Sequence, residues 1–246
     1  MSDSAVAVFG DVHSNLEALR AVLADMDASG VRRRVCLGDI VGYAADPSEC
    51  LALVRSLECP ILKGNHDALA AGDDVLDEVR DIARIGLEFT RQKLTVEERE
   101  YLGHLPLVAA ENDVEFVHAS LHHPEEWNYL VCHAALKKHF AAQSRRISFA
   151  GHTHVPCAWH MSLDGEISPL GFRGRIELPK EGKILINVGA VGQPRDLCPK
   201  ACYVVCDRKA DWAEFRRVAY NVGATKRKIL RAKLPAFAAQ RLSLGR

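Results

Sequence analysis

Five short apolar runs in this chain each end in a residue that can bind a metal ion. The segments that follow the runs are Gly10-Asp11-Val12-His13, Gly38-Asp39, Gly64-Asn65-His66-Asp67, His118 and Gly151-His152-Thr153-His154. In open α/β sheets, ligands bind outside the carboxyl ends of the strands. If the five runs are neighbouring strands, we expect these polar side chains to meet in one cleft.

Local spacing supports the same interpretation. Asp11 and His13 are two residues apart, as are His152 and His154, and side chains at i and i+2 of an extended chain share a face. Neutral histidine is a common metal ligand. Glycine precedes the polar residue in four of the five runs, which suits tight turns and close backbone approach.

The first 62 residues predict an alternation of strands and helices, which is typical of a right-handed parallel βαβ unit. Strands are predicted at 5–9, 35–37 and 61–62, and helices at 15–29 and 46–57. Gly30 ends the first helix. Asp46 is predicted as the N-cap of the second, with Pro47 at its first position and Glu49 closing a capping box.

The rest of the chain continues to alternate. Helices are predicted at 78–94, 95–102, 133–143 and 226–242, the last broken by Pro235. Strands are predicted at 114–117, 147–150, 157–160, 174–178, 183–188, 201–206 and 212–219. No change of composition marks a domain boundary, so we expect a single domain over residues 1–246.

Composition excludes several classes of protein. The chain is 48% hydrophobic and 26% charged, with a formal net charge of zero, which is typical of a soluble globular protein and does not favour long nucleic acid as a partner. No apolar stretch approaches the ~20 residues of a membrane span. The N-terminus lacks a secretory signal, and most of the eight cysteines lie among apolar residues. We therefore expect reduced thiols and a cytoplasmic location.

The clustered donors require a cation. Two carboxylates and four imidazoles packed together are poorly solvated without opposite charge. They are too many for one ion, whereas two ions sharing a bridging carboxylate use them all. A mixed nitrogen and oxygen set suits Mn, Fe, Zn or Ni better than Mg or Ca. Two such ions roughly 3.5–4 Å apart can hold a hydroxide and bind a phosphoryl group.

The ordered motifs, over roughly residues 5 to 195, resemble the calcineurin-like metallophosphoesterase superfamily. Residues 38–43 and 187–195 are similar to its small bacterial and archaeal phosphodiesterase branch. The resemblance implies an α/β fold with a two-sheet β-sandwich core flanked by helices and a dinuclear metal site at one edge. The ions it implies are two divalent transition metals, with Mn or Fe favoured over Zn or Ni.

The resemblance also implies a role for each site residue. The first metal would be held by Asp11, His13, Asp39 and His154, and the second by Asp39, Asn65, His118 and His152. Asp39 would bridge the two ions. A metal-bridging hydroxide would attack phosphorus, and His66, oriented by Asp67, would protonate the leaving group as general acid.

The substrate contacts depart from the family pattern. Gly42 stands where many relatives carry an acidic or amide residue, and the loop after His118 lacks a common Ser-Pro. Arg195 is a candidate phosphate contact, with a surface charge as the alternative, and His122 is a weaker candidate that could simply be solvated. Trp127 and Tyr129 could either cap the cleft or pack beneath their loop.

We therefore expect hydrolysis of a small phosphodiester or nucleotide-type phosphate ester. A phosphomonoesterase or protein phosphatase would use the same site, and a nuclease is disfavoured by the zero net charge. A non-catalytic metal-binding scaffold is the alternative from another class of protein. It should have lost His66 or several ligands, and the sequence retains them all.

Overall fold

Two mixed β-sheets form the centre of the computed structural model, which describes residues 5–72 and 81–246. The first sheet has the order β2-β1-β10-β11-β8, with β1 at Ala5–Phe9, β2 at Arg33–Cys36, β8 at Gly174–Glu177, β10 at Ala201–Asp207 and β11 at Trp212–Val218. The second has the order β3-β4-β5-β9-β6-β7, with β3 at Val108–Glu111, β4 at Val114–Val117, β5 at Ile147–Ala150, β6 at Cys157–Met161, β7 at Ile167–Gly171 and β9 at Lys183–Asn187.

The sheets pack face to face because their strands alternate between two apolar surfaces. Val6 and Val8 of β1 belong to the same buried cluster as Phe116 of β4 and Phe149 of β5, and the last two rings stack 5.6 Å apart. Phe9 points to the opposite face of its sheet, where helices cover it. Strands β1, β4, β5 and β10 are thus buried along their whole length, which explains the continuous apolar runs of the sequence there.

Eight helices are described, and most lie on the outer faces of the sheets. They are α1 (Leu16–Ser29), α2 (Pro47–Arg55), α3 (Asn65–Ala71), α4 (Asp81–Lys93), α5 (Val96–Gly103), α6 (His133–Ala142), α7 (Val222–Arg231) and α8 (Ala236–Leu242). Helices α1 to α5 contribute to the cluster over the first sheet, and α6 covers the second sheet. The predicted α/β sandwich is confirmed. Among the described residues, no helix has the length and apolar character needed to cross a membrane.

Several local predictions need correction. The strand predicted at 61–62 is a single bridge between Ile61 and Cys36, whereas β3, β7 and α3 were not predicted. Residues 78–80 of the predicted helix 78–94 lie outside the described part of the chain. The capping box on α2 is wrong, because the Asp46 carboxylate makes no cap hydrogen bond and instead lies 2.8 Å from Lys228 Nζ. At the start of α5, Thr95 and Glu98 do form a capping box.

The strand ends that carry the candidate ligands come from two sheets rather than one open sheet. Parallel strands β1 and β2 end at Asp11 and Asp39 in the first sheet. Parallel strands β4 and β5 end at His118 and His152 in the second. The sandwich brings both pairs of ends to one edge, and Asn65 joins them from the start of α3.

Candidate metal centre

The loops that carry the candidate ligands have an unusual backbone. Asp11, His13, Asp39, His152 and His154 all have left-handed φ angles between 48° and 64°. Such angles are uncommon outside glycine and cluster at functional sites, where each costs about 1–3 kcal/mol. Backbone hydrogen bonds hold the loops together. The Asp11 N–H donates to the Gly38 carbonyl at 3.0 Å, and the His13 N–H donates to the Asp39 carbonyl at 2.9 Å.

Two of the predicted close-approach glycines make room for the carboxylates. A Cβ atom on Gly64 would lie 2.1 Å from an oxygen of Asp39, and one on Gly151 would lie 2.5 Å from an oxygen of Asp11. Real Cβ atoms essentially never come this close to another heavy atom. The glycines therefore allow the backbone at the start of α3 and just after β5 to pack directly against the two carboxylates.

The candidate ligands form two groups of donor atoms, and Asp39 belongs to both. The first group consists of Asp11, His13, Asp39 and His154, and the second of Asp39, His118 and His152. Within each group, the donor atoms all lie within 4.8 Å of one another. The Nε2 atoms of His13 and His118 lie 3.4 and 3.5 Å from Asp39 Oδ2. Asn65 Oδ1 lies 3.3 Å from His118 Nε2 and so extends the second group.

Backbone carbonyl groups fix which nitrogen of three histidines faces the centre. The Nδ1 atoms of His13, His118 and His154 contact the carbonyl oxygens of Val41, Leu37 and Gln193 at 3.1, 3.0 and 2.6 Å. A carbonyl only accepts, so each Nδ1 donates its hydrogen, and each ring in its neutral form directs an Nε2 lone pair inward. This arrangement is typical of metal-ligating histidines.

The inward-facing Nε2 atoms lie close to one another. Two of them, on His13 and His154, are 3.1 Å apart. The Nε2 atom of His152 is buried and has no hydrogen-bond partner among the described residues. Its backbone N–H donates to both Asp11 oxygens, at 3.2 and 3.1 Å. A divalent cation supplies the missing partner for such donors, so the residues present fit a metal centre.

Burial favours the neutral form of most of these histidines, which is the form that binds metal. Burial lowers the pKa of His152 to about 3 and holds the pKa of His13 and of His154 below the ordinary value. The exception is His118: burial opposes its charge, but the Asp39 carboxylate raises its pKa to about 9. Metal binding at His118 would therefore release a proton.

His66 lies beside both groups without belonging to either. Its backbone N–H donates to Asp39 Oδ1 at 2.8 Å, and its ring packs 4.7 Å from His13 and 4.6 Å from Tyr43. Its Nδ1 atom is buried and has no partner among the described residues. A Cβ atom on Gly42 would lie 2.4 Å from that nitrogen. The departure from the family pattern at Gly42 thus leaves space for the His66 ring.

The prediction that Asp67 orients the His66 ring is wrong. The Asp67 carboxylate accepts hydrogen bonds from the backbone N–H groups of Ile40, Val41 and Gly64, at 2.9, 3.3 and 3.0 Å. Because Asp67 is the third residue of α3, its side chain turns back to cap the start of that helix. Burial and the Asp39 charge raise its pKa to about 7. Asp67 therefore holds the loop that follows Asp39.

The two candidate substrate contacts differ in position. Arg195 lies at the rim of the centre, where its Nη2 atom is 2.9 Å from Gln193 Oε1 and 3.4 Å from Tyr43 Oη. The Tyr43 ring is in turn 4.8 Å from that of His13. His122 lies away from the centre and lines a separate cavity of about 230 Å³. The structure therefore brings Arg195, but not His122, to the metal ligands.

Aromatic side chains cover the centre. The Tyr129 ring lies 4.0 Å from that of His152 and is half-exposed, and Trp127 packs edge-on 5.9 Å from His118. The sequence left open whether Trp127 and Tyr129 cap the cleft or pack beneath their loop, and these contacts favour capping. Sequence reasoning assigned no role to Tyr43, although the segment 38–43 that contains it was part of the family resemblance.

Comparison with known proteins agrees with this geometry. The uncharacterized protein MJ0912 of Methanocaldococcus jannaschii is 40% identical over 250 residues, covering both chains completely. A crystal structure of a metallophosphoesterase from Sphaerobacter thermophilus is 36% identical, with a TM-score of 0.86 and coverage of 98% of this chain and 99% of that one. The hypothetical protein PH1004 from Pyrococcus horikoshii has the same fold, at 21% identity, a TM-score of 0.79 and 98% coverage of each chain.

The family model for the calcineurin-like phosphoesterase superfamily domain matches residues 5–211. This range includes all the ligands brought together at the edge of the sandwich. The chain therefore belongs to the calcineurin-like phosphoesterase superfamily.

Proposed function

We propose that this protein hydrolyses small phosphodiesters or nucleotide-type phosphate esters at a centre of two divalent transition-metal ions. The observation that supports this most directly is that Asp39 belongs to both donor groups. A carboxylate shared by two sets of ligands is suited to bridge two ions, each with its own remaining donors. The donors are a mixture of nitrogen and oxygen, which suits Mn, Fe, Zn or Ni.

The ligands divide between the two ions as the family resemblance implies. One ion is assigned to Asp11, His13, Asp39 and His154, and the other to Asp39, Asn65, His118 and His152. When bound, the ions supply an activated water and neutralise charge on the phosphoryl oxygens. The protein holds its ligands in place through the carbonyl contacts of three histidines.

We assign His66 to protonation of the leaving alkoxide. Its backbone is anchored beside Asp39 and its ring is not among the grouped donors, so the ring is not committed to either ion. Burial lowers the pKa of His66 to about 4, so the ring is neutral in the free protein at neutral pH. An anionic phosphate ester raises that pKa on binding, and proton donation therefore depends on the substrate being present.

Arg195 is assigned to binding a phosphoryl oxygen from the rim of the centre. Its guanidinium contacts only neutral oxygens in the hydrogen bonds described, those of Gln193 and Tyr43. An anion would pair with the guanidinium more strongly than these neutral groups do, because charge-assisted hydrogen bonds are roughly twice as strong as neutral ones.

The proposal is tested by loading the protein separately with Mn²⁺, Fe²⁺, Zn²⁺ and Ni²⁺ and counting bound ions by elemental analysis. Each form is then assayed with bis(4-nitrophenyl) phosphate and with 4-nitrophenyl phosphate. We expect two ions per chain and a higher kcat/KM for the diester. The opposite preference would indicate a phosphomonoesterase or protein phosphatase, and two bound ions without turnover of any ester would indicate a scaffold.

A further inference from the structure

An apolar groove of about 500 Å³ lies beside the candidate metal centre. We call it the aromatic groove and define it by the residues that line it. These are Tyr129, Leu130, Val131, Cys132, His133, Leu136, Thr153, Val155, Cys157 and Trp159. One wall is the segment leading into α6, and the other runs from the ligand loop into β6.

The aromatic groove borders the candidate metal centre at two residues. Tyr129 lines the groove while its ring lies 4.0 Å from the ring of the ligand His152. Thr153 also lines it and stands between the two candidate ligands His152 and His154 in the chain. A molecule whose phosphate is held at the centre can therefore extend past Tyr129 into the groove.

The lining of the aromatic groove suits an uncharged and flat occupant. Among the described residues that line it there is no carboxylate, lysine or arginine. The Thr153 hydroxyl is already engaged with the backbone of Val155, at 3.2 and 3.3 Å. Burial raises the pKa of the Cys157 thiol to about 11, so that wall is neutral. Aromatic rings at Tyr129 and Trp159 offer surfaces for stacking.

The exposure of this lining indicates that something covers it. Val131 is 73% exposed, Tyr129 50% and Val155 39%, and contiguous exposed apolar surface marks binding sites. The volume lies in the usual range of roughly 300–1,000 Å³ for small-molecule pockets, which are largely apolar with a few polar groups. A groove of this size next to a phosphate site fits one organic group of an ester.

We propose that the aromatic groove binds a flat aromatic group of the substrate while the metal centre binds its phosphate. The natural substrates are accordingly phosphate esters that carry an aromatic group rather than small alkyl esters. This inference rests on the proposed function, because the phosphate must be held at the centre for its organic group to reach the groove.

The test compares two ligands with the same charged head, 1-naphthylphosphonate and methylphosphonate, which are not hydrolysed. Their binding to the zinc-loaded protein is measured by calorimetry, and the groove residues are followed by amide chemical shifts. We expect 1-naphthylphosphonate to bind at least about tenfold more tightly, because apolar contacts discriminate by factors of this order. The shifts should be largest at residues 129–136 and 153–159.

Two matched variants locate the effect. Val131→Asp places a charge on the wall of the groove at an exposed position that tolerates it, and should remove the preference for the naphthyl ligand while leaving methylphosphonate binding unchanged. Leu163→Asp makes the same kind of change at a side chain that is 79% exposed in the turn between β6 and β7. It should leave both affinities unchanged.

Failure of this inference differs from failure of the proposed function. If both phosphonates bind equally and the groove signals do not move, the groove assignment is wrong and the phosphate site stands. If neither phosphonate binds, but 1-naphthol alone still shifts the groove residues, the proposed function is wrong and the groove remains an aromatic-binding site. If Val131→Asp instead converts a dimer to a monomer in sedimentation and leaves naphthyl binding intact, the groove is an interface between copies of this chain.

Discussion

Buried histidines occur in two regions of this protein, and they differ in whether their ring nitrogens have protein partners. At the metal centre, three rings donate Nδ1–H to the backbone and leave Nε2 facing other acceptors. On α6, His139 is also fully buried but accepts at Nδ1 from the Leu121 N–H at 3.2 Å. Its Nε2–H donates to Ser148 Oγ at 2.9 Å, and the Ser148 hydroxyl donates to Gln143 Oε1 at 3.0 Å.

The difference separates a structural histidine from one that awaits a ligand. Burial lowers the pKa both of His139 and of His152, each to about 3, so desolvation alone does not distinguish them. What distinguishes them is the hydrogen-bond inventory, which is complete at His139 and incomplete at His152. Buried polar groups without partners are costly, and a bound cation would offset that cost at the candidate metal centre only.

The largest expected effect comes from removing the shared charge. Asp39→Asn keeps the shape of the side chain but removes the negative charge that serves both donor groups. Elemental analysis should show that both ions are lost, and hydrolysis should fall to the background of the buffer. His139→Gln is the matched control and should retain two ions. An Asp39→Asn protein that still held two ions would remove Asp39 from its bridging position.

The next effect separates catalysis from binding within the metal region. His66→Gln should retain both ions yet lower kcat by about 100- to 10,000-fold, the usual contribution of general-acid catalysis. The loss should be larger for an alkoxide leaving group than for 4-nitrophenolate, which needs little protonation. Equal losses for the two leaving groups, or the loss of an ion from the variant, would contradict the assignment of His66.

The clustering of the candidate ligands could be predicted from sequence because its signals are local. A glycine before each acidic residue and the two-residue spacing of His152 and His154 reflect turn geometry within a few positions. The placement of the strands could not be predicted this way, because pairing between β1 and β10, or between β5 and β9, joins distant parts of the chain. The motif spacing alone favoured one open sheet, and the family resemblance implied the two-sheet sandwich.

The role of Asp67 could not be predicted from its neighbours in the sequence. Asp67 follows His66 directly, and this proximity suggested a hydrogen bond to the ring. No helix was predicted for this segment, but it begins α3, and the third residue of a helix is placed to bind the N-cap N–H. The hydrogen-bond network around His139 could not be predicted from the sequence either. Its members lie in the loop after β4, on β5 and at the C-cap of α6.

A thermodynamic test sharpens the contrast between the two regions. A cation that binds only the folded protein stabilises it by about 2.7 kcal/mol at 100 times its Kd. Urea denaturation should show this gain with Zn²⁺ for the wild-type protein and for His139→Gln, and no gain for Asp39→Asn. If Zn²⁺ did not stabilise His139→Gln, His139 would affect metal binding, and the two regions would not be independent.

The smallest expected effect is the pH dependence that His139 contributes to stability. Burial lowers its pKa from the ordinary 6.5 to about 3 in the folded protein, so the unfolded chain binds the extra proton first. The stability associated with neutral His139 is therefore present above pH 6.5 and is lost progressively as the pH falls toward 3. Between pH 7 and pH 5 this amounts to about 2 kcal/mol.

His139→Gln removes the titrating group, although it costs some stability at neutral pH because the hydrogen bonds to Leu121 and Ser148 are altered. Urea denaturation of both proteins in the same metal-free buffer at pH 7 and pH 5 measures the difference. The wild-type protein should lose about 2 kcal/mol more than the variant on acidification. The other buried histidines titrate in both proteins and cancel. Equal losses of stability in the two proteins would show that His139 takes up its proton without unfolding. The Leu121 N–H that donates to its ring and the hydrogen bond from Ser148 to Gln143 argue against that outcome.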